Sequence, residues 1–181
     1  MKINKETKFN IGDTVYYVTK SDNSVILSQI LATIFNKEDI ISYSLQEGII
    51  KTENELFATQ EEAEEKAKRG RFKVYLSGAI ASDKNYISKF MTAKEEVKKM
   101  GFSVLSPIET DECMHDEGAK ECMFASIELL KQADVILLLD KDLTKSKGVQ
   151  IEIELAKYCN IPVANQCKDI EIFTKEGRGE K

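Results

Sequence analysis

The sequence predicts an α/β chain in two parts: a small, mostly-β, barrel-like module over residues 1–69, then a parallel sheet with helices on both faces over residues 73–181. Three observations predict it. Residues 9–58 hold short runs of β-branched and aromatic residues broken by turn residues. From Lys73 onward, strand-like apolar runs alternate with stretches of helical period. The chain has 181 residues, 42% hydrophobic and 31% charged, which allows one full core and a small second one.

The elements follow in order. Phe9 to Val18, turning at Gly12-Asp13, reads as the first strand, and Val25–Phe35 and Ile40–Leu45 as the next two, separated by Asn36 to Asp39 and closed by Gly48. Together they predict a small antiparallel barrel. Thr59-Gln60-Glu61-Glu62 is a capping-box pattern that starts a short helix running to about Lys68. Glu61 to Glu65 is expected to form its wet face. Lys66 to Phe72, charged and containing Gly70, is the expected linker. Lys73 to Gly78 then reads as a buried strand. The period of Ile87, Phe90, Met91, Lys94, Val97 and Met100 predicts a helix stopped by Gly101. Phe102–Leu105 is the next strand, ended by Pro107. A helix over about 119–132 would turn Cys122, Met123, Ser126, Leu129, Leu130 and Ala133 inward. Asp134–Asp140 is a strand, about 148–159 a helix, and Ile161–Ala164 the last strand. Such alternation implies a flavodoxin-like or Rossmann-like sheet, whose ligand sits beyond the carboxyl ends of the strands. The stretches to inspect are therefore Gly78–Asp83, Ser106–Asp111 and Asp140–Gly148.

Composition excludes several function classes. With 26 Lys and Arg against 31 Asp and Glu, the net charge of −5 lacks the positive field that sequence-independent nucleic-acid binding needs. The longest apolar run, Val135–Leu139, is far too short to cross a bilayer, so no membrane is expected. Met1 to Lys8 is polar, lacks the apolar stretch of a secretory signal, and points to the cytoplasm. Cys113, Cys122, Cys159 and Cys167 show no CxxC spacing and only His115 could join them, so no metal is expected and the cysteines read as reduced thiols.

The richest stretch runs from Asp140 to Ala156. Gly148, Glu152 and Ala156 are four apart and share one helix face, with two small residues allowing close approach. Near a helix N-terminus, Glu152 is expected to stay ionised, and an ionised, oriented carboxylate can attack an anomeric carbon. The plainer reading is that Glu152 only satisfies the helix dipole. Glu154, two positions on, is expected to face solvent. Ser146, followed by Lys147 and the amides of Gly148 and Val149, suits either an anion site or a plain N-cap. After the first strand, Gly78 can let a ligand approach the backbone, although the spacing is not GxGxxG.

Three motifs occur in register: Tyr75-Leu76-Ser77-Gly78-Ala79-Ile80, Gln132-Ala133-Asp134-Val135-Ile136, and Ser146-x-Gly148-x-x-x-Glu152-x-x-x-Ala156. Together, over about residues 73–163, they resemble the nucleoside 2-deoxyribosyltransferase superfamily, and most closely its DUF4406 branch. The resemblance implies that Glu152 attacks C1′ of a 2′-deoxynucleoside or its 5′-monophosphate. It also implies that Tyr75, Ser77, Gly78, Ile80, Ser126, Ser146 and Gly148 line the substrate, with no cofactor, and that the chain forms a homo-oligomer. Ser146 resembles the phosphate-holding serine of the monophosphate glycosidases, which tilts the substrate toward a nucleotide. Two positions depart from the pattern. Ala81, Ser82 and Asp83 stand where those glycosidases carry an arginine, and Ser126 stands where active families often place a proton-handling aspartate.

A missing general acid typically costs about 10²–10⁴ in rate, so a substitute is sought. Asp140 is the first choice, ahead of Glu128, which turns off the inward face, and of His115 in a polar loop. The rival reading keeps the pocket as a non-catalytic nucleotide-binding module. The first module resembles small SH3-like domains and would dock a partner or cover the catalytic mouth. Tyr16, Tyr17 and Tyr43 are its candidate contact surface, with partial burial as the plainer alternative.

Overall fold

Alternating apolar residues put one face of a strand in the core and the other in water. The computed structural model of the chain describes residues 6–36, 40–110, 119–142 and 146–176, in two compact units, Met1–Lys68 and Arg69–Lys181.

In the first unit, β1 (Thr14–Val18), β2 (Val25–Phe35), β3 (Ile41–Leu45), β4 (Ile50–Thr52) and β5 (Leu56–Phe57) form an antiparallel sheet ordered β4-β3-β2-β1-β5. The long β2 pairs with β1 through Val25–Gln29 and with β3 from Ile30 onward, and a register shift between Ile30 and Ala32 marks the change. An extra residue on one strand bends it and increases its twist, so the sheet curls over Phe9, Val15, Tyr17, Ile30, Tyr43, Leu45 and Leu56. Burial removes Tyr17 and Tyr43 from any contact surface. The Tyr43 hydroxyl donates to Glu53 at 2.6 Å and accepts from the Phe9 amide, and burial with the Glu53 carboxylate pushes its pKa up to about 12. Tyr16 is half-buried.

Helix α1 (Gln60–Arg71) begins at the expected cap: the Glu62 amide donates to the Thr59 hydroxyl at 3.2 Å. The return bond differs from a capping box, because the Glu62 carboxylate accepts from Ala58 instead of Thr59. The helix also runs through Gly70, over most of the expected linker. A single glycine costs only about 1 kcal/mol in a helix, which is too little to end one.

In the second unit, β6 (Lys73–Ser77), β7 (Ser103–Leu105), β8 (Val135–Leu138) and β9 (Val163–Ala164) form a parallel sheet ordered β7-β6-β8-β9. Helices flank it: α2 (Tyr86–Lys99), α3 (Ala119–Leu130), α4 (Lys147–Tyr158) and α5 (Cys167–Glu176). Val74 and Leu76 of β6 pack with Phe90, Ala93 and Val97 of α2 and Ile170 of α5. Tyr75, between them, packs on the opposite face with Leu130 of α3 and Val149 and Ala156 of α4. The side-chain period of two therefore sends alternate β6 residues to different helix pairs.

Two local expectations change. Ile87 and Met91 are exposed, since α2 turns Phe90, Ala93 and Val97 to the sheet. Helix α5 lies beyond the last expected element. The stop of α2 follows the sequence signal: Gly101 adopts φ +90°, its amide bonds to Lys98 and that of Phe102 to Val97, the paired bonds of a glycine-terminated helix.

Candidate active site

The sheet order reverses between β6 and β8, and in open parallel sheets ligands bind at such a reversal, beyond the carboxyl ends of the strands. Ser77 ends β6 there, and the amide of Leu139, just past β8, donates to its carbonyl at 2.8 Å. Asp134 fixes the other end of the pair, its carboxylate accepting from the Lys73 amide at 2.7 Å. Below this junction, on the α3 and α4 side, lies a buried polar network in an otherwise apolar layer.

Its centre is Glu152, 5% exposed. The Tyr75 hydroxyl donates to Oε1 at 2.7 Å and the Ser77 hydroxyl donates to Oε2 at 2.5 Å. Ser126 of α3 is also buried. Two of the buried polar residues among those described, Ser77 and Glu152, thus meet Tyr75 in one network centred on the carboxylate. Burial raises the Glu152 pKa above the ordinary carboxylate value, while the bonds from Ser77 and Tyr75 oppose that rise. Burial, the Glu152 charge and its hydrogen bond push the Tyr75 phenol far up.

This corrects the expectation that the start of the helix keeps Glu152 ionised. Ser146 is the N-cap and Lys147 the first helical residue, so Glu152 lies a full turn beyond the free amides, and the dipole effect fades within the first turn. Two strand hydroxyls hold the carboxylate instead. Its pKa moves up because charge-assisted hydrogen bonds offset only part of the desolvation of an ion.

The other predicted site residues make packing and loop contacts. The Ser146 hydroxyl accepts from the Val149 amide at 3.4 Å, the plain N-cap arrangement. A Cβ on Gly148 would lie 3.1 Å from Met123 Cε, so the small residue admits a side chain of α3. A Cβ on Gly78 would lie 3.1–3.3 Å from Phe90, Leu139 and Asp140. Ile80 packs against the α2-side core, away from Glu152. Asp140 Oδ2 accepts from the Ala79 amide at 2.6 Å and Oδ1 from Lys89 at 2.7 Å. Lys89 also meets Asp83 at 2.8 Å. Burial works against the Lys89 charge, but Asp140 and Asp83 raise its pKa overall. Asp140 is therefore set as an acceptor that ties the loop after β6 to the end of β8, an arrangement that does not favour proton donation. Glu128 and Glu154 are exposed and paired with Lys131 and Lys157. His115 and Cys113 lie outside the described residues. Cys122 is disulfide-bonded, contrary to the reduced-thiol expectation, whereas Cys159 and Cys167 are free.

The hydroxyls of Tyr75 and Ser77, expected to line the substrate, bind the carboxylate itself, and Lys89, which the sequence did not single out, holds Asp140. The signal for the hydroxyls was present: Tyr75 and Ser77 are two apart on a strand and must share a face. Lys89 gave none, because its partners are 6 and 51 positions away. A separate cleft of about 800 Å³ opens on the α2 and α5 side, lined among others by Lys89, Glu96, Asn165 and Cys167, and does not include Glu152.

Residues 72–165, just over half of the chain, match the family described as a domain of unknown function, DUF4406. The chain belongs to the DUF4406 family. The matched segment contains Tyr75, Ser77, Ser126 and Glu152, so the whole network lies within the DUF4406 domain, and the curled sheet lies outside it. A search of curated proteins finds no match to the chain. No described helix is long and apolar enough to cross a membrane.

Proposed function

We propose that the DUF4406 domain cleaves or transfers the N-glycosidic bond of a 2′-deoxynucleoside or its 5′-monophosphate, with Glu152 as nucleophile. One observation carries this reading: a buried carboxylate, with a hydroxyl on each oxygen, at the carboxyl end of the central strand pair. Natural cores bury a charge rarely and at a cost of several kcal/mol, and a group kept there at that cost is a site candidate. In the proposed step, a Glu152 oxygen bonds to C1′ as the C1′–N bond breaks, and its electron pair leaves with the base. Water or a second base then attacks C1′ and frees the carboxylate. The two hydroxyls fix the rotamer, so that little freedom is lost at the moment of attack. The strand order β7-β6-β8-β9 is that of flavodoxin-like sheets, which supports the substrate's place beyond Ser77. The curled first unit suits an SH3-like docking module.

A second reading, a binding module that retains a nucleotide without cleaving it, is favoured by a different observation. Both Asp140 oxygens are engaged and Ser126 is a neutral hydroxyl, so neither supplies a ready proton to the base. Incubation with a panel of deoxynucleosides and monophosphates, followed by chromatography, separates the two. The enzyme reading expects free base, lost in Glu152→Ala. Base release undiminished in that variant removes Glu152 from the mechanism, and thermal stabilisation by a nucleotide without release supports the binder.

A further inference from the structure

Ser77, the last residue of β6, is fully buried, and its hydroxyl reaches Glu152 of α4. Just past it, the chain is gripped from the α2 side by two charged residues. The Ala79 amide donates to Asp140 Oδ2 at 2.6 Å, Lys89 of α2 donates to Asp140 Oδ1 at 2.7 Å, and the same ammonium meets Asp83 at 2.8 Å. We propose that Asp140 and Lys89 are positioning residues, which hold the end of β6 from the α2 side so that the Ser77 hydroxyl stays on Glu152 Oε2.

The physical case starts from the ladder between β6 and β8. Hydrogen bonds in a parallel pair are evenly spaced, and the Leu139 amide donates to the Ser77 carbonyl at 2.8 Å. The next amide on that side of the chain, Ala79, finds the Asp140 carboxylate in place of a backbone carbonyl. A charge-assisted bond of this kind is roughly twice as strong as a neutral one. Gly78 leaves room for it: a Cβ there would lie 3.3 Å from Asp140 Oδ2. Lys89 spends two of its three N–H groups on Asp140 and Asp83, and Asp83 accepts from the Asn85 amide ahead of α2, so the clamp is anchored to a helix. A hydrogen bond weakens steeply once its angle is lost, so a small turn of the backbone at Ser77 takes its hydroxyl off Glu152. Few other groups bear on the carboxylate. From β6 these are Tyr75 and Ser77; β8, Val135–Leu138, is uncharged, as are Ser126 and Leu130, the buried residues described on α3.

The proposal deepens the nucleophile reading but is tested without turnover. The full chain, labelled with ¹³C at glutamate side chains, is titrated by NMR, with Glu152→Gln identifying the resonance. Ser77→Ala, which deletes a bond to the charged form, should raise the Glu152 midpoint by about 1–2 pH units. Asp140→Ala should raise it by a part of that, about 0.5 pH unit or more. The sign is decisive, because loss of a nearby negative charge acting through space would lower the midpoint. In a Ser77→Ala background Asp140→Ala should raise it no further. An unchanged or lowered midpoint in Asp140→Ala overturns the proposal, and so does a rise that persists without the Ser77 hydroxyl. Should Asp140→Ala not fold, Lys89→Met opens the other half of the clamp: its rise must vanish in the Ser77→Ala background, and a rise that survives there is through-space charge and overturns the proposal. Titration needs no substrate, so a raised midpoint without base release would sink the enzyme reading and leave the clamp standing. Base release with an unmoved midpoint would do the converse.

Discussion

Replacing Glu152 by Gln asks whether this carboxylate is held at the expense of the fold. Two hydrogen bonds to a charged acceptor contribute about 1.5–3 kcal/mol each, and the effective penalty of burying one ion is several kcal/mol. The sums nearly cancel, and the raised pKa says that the penalty is the larger. The pH dependence follows. Between the ordinary carboxylate pKa of the unfolded chain and the higher value of the native one, the native state keeps a proton that the unfolded state has lost. Stability therefore falls as pH rises through that window, by up to about 1.4 kcal/mol per pH unit. Below the window both states are protonated and the contribution is fully present; above it the loss is complete. The side-chain amide of the Glu152→Gln variant does not titrate, and its oxygen would still accept from Tyr75. Urea unfolding followed by circular dichroism, from about pH 4.5 to 8, should show that variant gaining on the natural chain with rising pH, at unchanged slope against urea. If the natural chain instead gains on the variant over that range, the two hydroxyls outweigh desolvation and the reasoning fails.

Other perturbations separate packing from charge. Lys89→Ala removes the tie between Asp140 and Asp83, and the partly exposed Lys89–Asp140 pair should contribute about 0.5–1 kcal/mol, read as a lower Tm and faster exchange of the Ala79 amide. Gly78→Ala should cost about 1–3 kcal/mol, because its Cβ meets the Leu139 Cβ and the Phe90 ring within 3.2 Å and neither is a free chain end. Gly148→Ala should change stability by less than about 0.5 kcal/mol: a helical alanine is favoured, and the atom that must yield is the flexible tip of Met123. Equal effects at the two glycines would contradict this. Burial and Glu96 raise the Cys167 thiol to about 11, so at neutral pH it should label with iodoacetamide far more slowly than exposed Cys159. Equal labelling rates would show that Glu96 does not guard it.

Much of this was legible along the chain, for reasons that are local. Strand period, glycine stops and an N-cap serine are properties of neighbours in sequence, so β6, the α2 stop at Gly101 and the start of α4 at Ser146 could be read before any fold was known. The helical spacing of Gly148, Glu152 and Ala156 also put the carboxylate on an inward face, and burial agrees. Gly70 misled, since a weak local preference yields to a helix that continues on either side. Ile87 and Met91 misled likewise, because period fixes which residues share a face but not which face meets the sheet.

By itself, then, the order of residues determined two units, an alternation of strands and helices, and one carboxylate turned toward the sheet. Only the tertiary structure decided what surrounds that carboxylate. Tyr75 and Ser77 approach it from 77 and 75 positions away, and Asp140 is drawn instead to Lys89, 51 positions off. The reason is physical: hydrogen-bond partnership depends on distances of about 3 Å in space, which strand order and helix packing set, and a pKa depends on the burial that the same packing creates.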